Sequence, residues 1–130
     1  SSTVENRWAV SDSEAASMIV RTACLEGTVK PQDIARFDAF ITSEVVPLMK
    51  RFPGVRSVRV MRAQSIEDDG PKLYMTFESA YDTVDAMANA FAHPIRQVLK
   101  SRLAEIMPLF DGRLFHITQY LLADEPVLSG

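Results

Sequence analysis

The stretch Val45–Asp82, VVPLMKRFPGVRSVRVMRAQSIEDDGPKLYMTFESAYD, decides the fold of this chain. It opens on the apolar end of a helix that Phe52-Pro53-Gly54 must stop, because proline cannot continue a helical ladder. Val55 to Gln64 (VRSVRVMRAQ) then alternates apolar and polar residues with a period of two, the pattern of a half-buried strand. The acidic turn Glu67-Asp68-Asp69-Gly70-Pro71 leads into a second strand, Lys72 to Glu78 (KLYMTFE), so the two runs form an antiparallel hairpin. Ser79 followed by Asp82 resembles a capping box and predicts the start of the next helix. The segment therefore reads as a hairpin held between two helices.

Working outward completes the pattern. Upstream, Pro31 suits the first position of a helix. Ile34, Phe37, Ile41, Val45, Leu48 and Phe52 follow at spacings of three and four, one buried stripe. Pro47 interrupts that stripe and leaves the Ser43 carbonyl without its donor, which predicts a kink. Before it, Met18 to Glu26 (MIVRTACLE) predicts a strand ending at Gly27. Downstream, Val84, Met87, Ala88 and Phe91 carry a helix to His93-Pro94. A further stripe runs through Ile95, Val98, Leu99, Leu103, Ile106 and Met107, and Arg113 to Leu122 (RLFHITQYLL) is the last strand. The order strand, helix, strand, strand, helix, strand is the split βαβ, ferredoxin-like pattern of the α+β class: a four-stranded antiparallel sheet with its helices on one face. The domain spans 18–122. Residues 1–17 form a polar N-terminal arm, in which Trp8 is expected to pack on the domain or on a second subunit, and 123–130 form a C-terminal tail.

Such a sheet leaves one face bare. Alternation assigns Met18, Val20, Thr22, Cys24, Val58, Val60, Leu73, Met75, Phe77, Phe115, Ile117 and Leu121 to the helix side. The opposite face then carries Ile19, Arg21, Ala23, Leu25, Ser57, Arg59, Met61, Tyr74, Thr76, Leu114, His116, Thr118 and Tyr120. That face is too apolar for water and too polar for plain packing, which suggests a closed space with a polar centre. Pairing two copies sheet to sheet, a homodimeric α+β barrel, would create it.

Composition narrows the function. The chain is 47% apolar and 24% charged, as an ordinary globular domain is. A net charge of −3 lacks the basic face of a non-specific nucleic-acid binder. The aromatic clusters of an RNA-recognition motif are missing as well, so no nucleic-acid partner is expected. No apolar run approaches the roughly 20 residues of a membrane span, and residues 1–17 lack the basic start and apolar centre of a secretory signal, so the expectation is a cytoplasmic protein. The single cysteine, Cys24, forms neither an intramolecular disulfide nor a metal cluster. Glu67, Asp68 and Asp69 are adjacent rather than spaced as calcium ligands, and no phosphate-loop, dinucleotide, nucleophile-elbow or zinc motif occurs. Neither a cofactor nor a metal is expected.

The helix end VVPLMKRFPGVRSVRV, the junction KLYMTFESAYD and the segment AFAHPIR, in that order, resemble the dimeric α+β barrel superfamily, closest to its EthD-like and antibiotic-biosynthesis-monooxygenase-like groups. The resemblance covers Met18 to Leu122. It implies a small-molecule-binding homodimer, with cofactor-independent isomerase, lyase or monooxygenase chemistry on a small anionic aromatic or lactone-like metabolite. EthD-like proteins usually carry a His just before the Pro-Leu of the first helix. Here that place is Val46, so no role attached to that His carries over.

From the residues themselves, His116 is the candidate acid or base, since imidazole titrates near neutrality; its plain alternative is a hydrogen-bonded structural His. Arg21 and Arg59 are candidate clamps for an anion, because a guanidinium presents a planar fork of donors. Their alternatives are an ion pair or snorkelling to the surface. Tyr74, Thr118 and Tyr120 are candidate ligand contacts, against plain packing. His93 reads as a cap. The competing function is a non-catalytic ligand-binding or stress-associated module with a structural polar core.

Overall fold

The computed structural model describes residues 17–128; the expectations for Trp8 and the arm fall outside them. Strand β1 (Ile19–Val29) leads into helix α1 (residues 31–49), then β2 (Ser57–Arg62), β3 (Leu73–Tyr81), α2 (Val84–Phe91), α3 (Ile95–Ala104), a short turn Met107–Leu109 and β4 (Phe110–Tyr120). The sheet order is β2-β3-β1-β4, all antiparallel, with β1 at the centre beside both β3 and β4. This is the expected α+β ferredoxin-like sandwich.

β1 does not stop at Gly27. It pairs with β4 from Ile19 opposite Tyr120 through Gly27 opposite Gly112 to Val29 opposite Phe110. Gly27 and Gly112 hold φ of +153° and +156°. A Cβ on Gly27 would stand 2.1 Å from the Asp111 carbonyl oxygen. Only two hydrogens let the strands close there.

The extension sets the phase of the sheet. Leu25, Val29, Met75 and Phe77 form the core with Phe37, Ile41, Val45 and Met49 of α1. A second cluster joins Phe52, Tyr81, Ala90 and Ile95 at the other end. The helix side of β1 is therefore Ile19, Arg21, Ala23 and Leu25, and that of β4 is Leu114, His116, Thr118 and Tyr120. This reverses the expectation for both strands. Both alternations of β1 are apolar apart from one charged residue each, but only one of them keeps a charged pair out of the core: Glu26 and Arg113 face each other across the ladder, joined at 2.6 Å, and belong on the solvent side with Thr22, Cys24, Phe115 and Ile117. β2 and β3 keep the expected phase over Val58, Val60, Met75 and Phe77, which face inward, whereas Leu73, expected with them, pairs with Glu26 beyond the register shift.

Tyr74 departs from it locally. A bulge between Leu25 and Glu26 leaves Tyr74 without an opposite residue on β1, and the ring turns to the helices. There it meets Phe37 edge-on at 5.6 Å, and its hydroxyl donates to Asp38 Oδ1 at 2.5 Å. Arg62 holds the other oxygen of Asp38 at 3.2 Å. Burial and the Asp38 bond push the Tyr74 hydroxyl up to about 12.

The predicted kink appears as a wider turn. Ile41–Val45 has π geometry, with the Val46 N–H reaching back to the Ile41 carbonyl, immediately before Pro47. The Thr42 hydroxyl donates to the carbonyls of Asp38 and Ala39 at 3.2 and 3.1 Å. Ser79 and Asp82 do not start α2. β3 runs on to Tyr81, and Thr83 caps the helix by accepting from the Ala86 N–H at 3.0 Å. The hairpin turns on Asp68 and Asp69, both at φ 54°, closed by the Gly70 N–H to the Glu67 carbonyl.

Gly27→Ala should cost about 2 to 4 kcal/mol, because the new methyl must force the two strands apart. Urea unfolding checks this, and a loss below about 0.5 kcal/mol would show that the ladder can open there at little cost.

Candidate functional site

Since β1 turns Arg21 and Ala23 toward the helices and β4 sets His116 directly opposite Ala23, both polar groups lie between the sheet and the helix layer, not on the bare face. The space there is a half-open cleft of two adjoining lobes, about 90 and 160 Å³. A cavity of about 150 Å³ holds one benzene ring, so the larger lobe fits a single ring. Its walls are mostly apolar: Val45 and Met49 from α1, Phe52 beyond it, Phe77 from β3, Phe91 from α2 and Leu99 from α3.

The polar residues of the cleft share one sign. Arg21 and His116 come from the sheet, and Arg96 and Lys100 from α3, one turn apart on the same side of the helix. Among the described residues no Asp or Glu lines either lobe. The guanidinium carbons of Arg21 and Arg96 lie over the Phe91 ring, at 4.7 and 5.1 Å from its centre, so a π face takes the place of a carboxylate. Among the described residues neither arginine has an ion-pair partner. Like charges an α-helical turn apart repel, so the cleft gathers positive charge with no counter-charge among the described residues.

The titrating groups record this field. Burial first, then the charge of Arg96, pulls the Arg21 guanidinium below its ordinary value. Burial, then Arg21, Arg96 and Lys100, pulls His116 below 6.5. Tyr81, fully buried at the inner end of the cleft, is pushed up by burial, with Ser79 and Arg21 opposing the rise. The arrangement thus sets an imidazole of lowered proton affinity beside fixed positive charge, against apolar walls.

The structure brings together only Arg21 and His116 of the six predicted site residues. Thr118 and Tyr120 continue the same face of β4 but do not line the cleft. Tyr74 lies toward the far end of β3, bonded to Asp38. Arg59 is on the opposite face, two-thirds exposed, and grips Glu78 with two bonds of 2.8 and 3.1 Å; its ion-pair alternative is what occurs. His93 serves as a cap, its Nδ1 accepting from the Ile95 N–H at 3.0 Å. Tyr81, Ser79, Phe91, Arg96 and Lys100 were not anticipated. The apolar stripe of α3 concealed two of them, since Arg96 and Lys100 sit at its border. No group of three or more His, Cys, Asp or Glu able to hold a metal occurs among the described residues, and no helix among them is long and apolar enough to cross a membrane.

The field around His116 has a pH signature. The unfolded chain takes a proton on this residue near 6.5, while the folded site resists it, so stability should fall as pH drops through 6.5 toward the lower folded value. His116→Gln should flatten that part of the stability–pH curve; an unchanged slope would place the acid sensitivity elsewhere.

No protein-family profile matches the chain, and no curated protein matches it. Solved structures do. An EthD-family protein from Bacillus halodurans is 22% identical with a TM-score of 0.60, covering 78% of this chain and 96% of its own. SnoaB from Streptomyces nogalater, described as a cofactor-independent oxygenase and solved as the N63A mutant, is 17% identical with a TM-score of 0.57, covering 86% and 100%. A dimeric protein of unknown function with a ferredoxin-like fold, from Bacteroides fragilis, is 12% identical with a TM-score of 0.59, covering 80% and 96%. The chain has the ferredoxin-like α+β fold that these EthD-family and oxygenase structures share.

Proposed function

We propose that the cleft between sheet and helices binds a small anionic aromatic or lactone-like metabolite and acts on it without a cofactor. One observation carries this reading: Arg21, Arg96 and Lys100 surround a chamber of ring size with no carboxylate among the described residues to neutralise them. Uncompensated positive charge beside apolar walls is costly unless a ligand supplies the counter-charge. Arg21 holds the anion or the negative charge that develops on it, and His116 moves a proton. The chemistry open to such a pair is isomerisation, lyase-type ring chemistry, or oxygenation of a substrate that supplies its own electrons. Support for the last comes from SnoaB, the cofactor-independent oxygenase on the same fold. Thr118 and Tyr120 would meet only a ligand longer than the cavity, and Tyr74 and Arg59 are assigned to structure.

The bare face supports the second half of the proposal, a homodimer formed through it. It carries exposed Met61 and Ile117, and Thr22 Oγ1 is buried there with no hydrogen-bond partner among the described residues. The Bacteroides fragilis protein with this fold is described as dimeric. The non-catalytic alternative also has an observation in its favour: among the described residues the lining contains one group of ordinary titration near neutrality and no carboxylate, so none of them stands beside His116 as a second acid or base.

Thermal shift against a panel of monocyclic carboxylates and phenols tests the cleft. A saturating binder should raise Tm by roughly 5 to 10 °C. Arg21→Ala should abolish that rise and Arg59→Ala should leave it; equal loss in both variants would remove the cleft as the site. Turnover of a binder that His116→Gln lacks separates an enzyme from a binding module. Sedimentation should give twice the 14.5 kDa chain mass, and a monomer at micromolar concentration would overturn the dimer.

A further inference from the structure

Among the described residues every charged group facing His116 pushes in one direction. β1 presents Arg21, and α3 presents Arg96 and Lys100. β3 presents Tyr81 and Ser79, whose hydroxyls carry no charge near neutrality. α1 and the residues after it present Val45, Met49 and Phe52, and α2 presents Phe91, none of them ionisable. No acid on any of these elements lines the cleft. Among the described residues His116 is also the only lining group whose ordinary titration lies near neutrality, because a guanidinium or ammonium keeps its proton there and a buried phenol does not lose it.

We infer that an anionic ligand enters this cleft together with a proton that settles on His116, so that His116 begins any chemistry there as an acid. The inference rests on the cleft reading above and names the class of ligand more closely: a single ring carrying a carboxylate or phenolate. In the empty cleft, partial burial and three neighbouring cations lower the proton affinity of His116. An anion seated among those cations cancels their repulsion and adds its own attraction, and an opposite charge within a few ångströms favours the protonated imidazole. Linkage makes the effect mutual: the ligand that raises proton affinity at His116 is itself held more tightly when the proton is present. A neutral molecule of the same shape gains nothing from this coupling. With one titrating group in the cleft, uptake cannot exceed one proton per site.

Benzoate and benzyl alcohol, alike in ring and size but differing in charge, are the probes. The chain has two histidines, so the imidazole proton resonances are few. His116→Gln identifies its signal, and His93, capping α3 outside the cleft, serves as the internal control. Titrated by NMR, saturating benzoate should raise the His116 midpoint by about 1 pH unit or more, roughly tenfold in proton affinity, and leave His93 unmoved. Benzyl alcohol should not raise it. Calorimetry in two buffers of different ionisation enthalpy should show proton uptake below neutrality that His116→Gln loses. Benzoate that shifts the Leu103 and Leu114 methyl resonances but leaves the His116 midpoint in place would overturn this inference alone. If benzoate moves no methyl of the cleft even at millimolar concentration, the binding reading falls and takes this inference with it.

Discussion

The burial of Ile19, Leu25 and Val29 beneath the helices fixes the phase of the central strand, and the site follows from it. Side chains on a strand alternate, so once those three face inward, Arg21 and Ala23 must do so as well. β4 pairs with β1 in unbroken register, which sets His116 opposite Ala23 and Thr118 opposite Arg21. A slip of one residue would move the arginine and the imidazole to the other side of the sheet together. The large apolar residues therefore hold the polar ones in place, and the helix layer keeps a cation it would otherwise expel because Phe91 supplies a π face.

The elements of the fold were legible from periodicity and from Pro and Gly punctuation, and their order alone led to the ferredoxin-like topology. What alternation could not decide was which side of β1 and β4 turns inward. In MIVRTACLE both alternate sets are apolar apart from one charged residue, and ending the strand at Gly27 hid the evidence that separates them. Carrying it to Val29 adds one more large apolar residue to the set of Ile19 and Leu25, and Thr28 to the set of Glu26. The glycine looked like a stop because turns favour it; here it serves the close approach of two strands. Tyr74 was misplaced for a related reason, since a bulge has no signature in a two-residue period.

The candidate site was legible only in part. His116 and Arg21 were found because a histidine and an arginine stand out in otherwise apolar strands. Arg59 stood out in the same way, yet it meets Glu78 across the hairpin, a pairing that needs the register to see. Arg96 and Lys100 were invisible because cations on an amphipathic helix ordinarily face water. The stripe through α3 was drawn to include Val98, which is about half exposed, and this rotated the predicted face away from the cleft. Tyr81 looked like part of a helix start, whereas it is the last residue of β3 and packs edge-on against Phe91 at 5.9 Å.

The π turn at Ile41–Val45 bears on how such a protein could acquire a different ligand. It winds one extra residue into α1 at Val45 and one turn before Met49, two residues that wall the cleft. Because the wide turn takes up that residue locally, removing a single codon there would restore ordinary winding while the remainder of α1 kept its phase. Met49 would stay on the chamber wall, and the change would be confined to the level of Val45. Chamber shape there is thus open to change by insertion and deletion, a route that a comparison restricted to point substitutions would overlook.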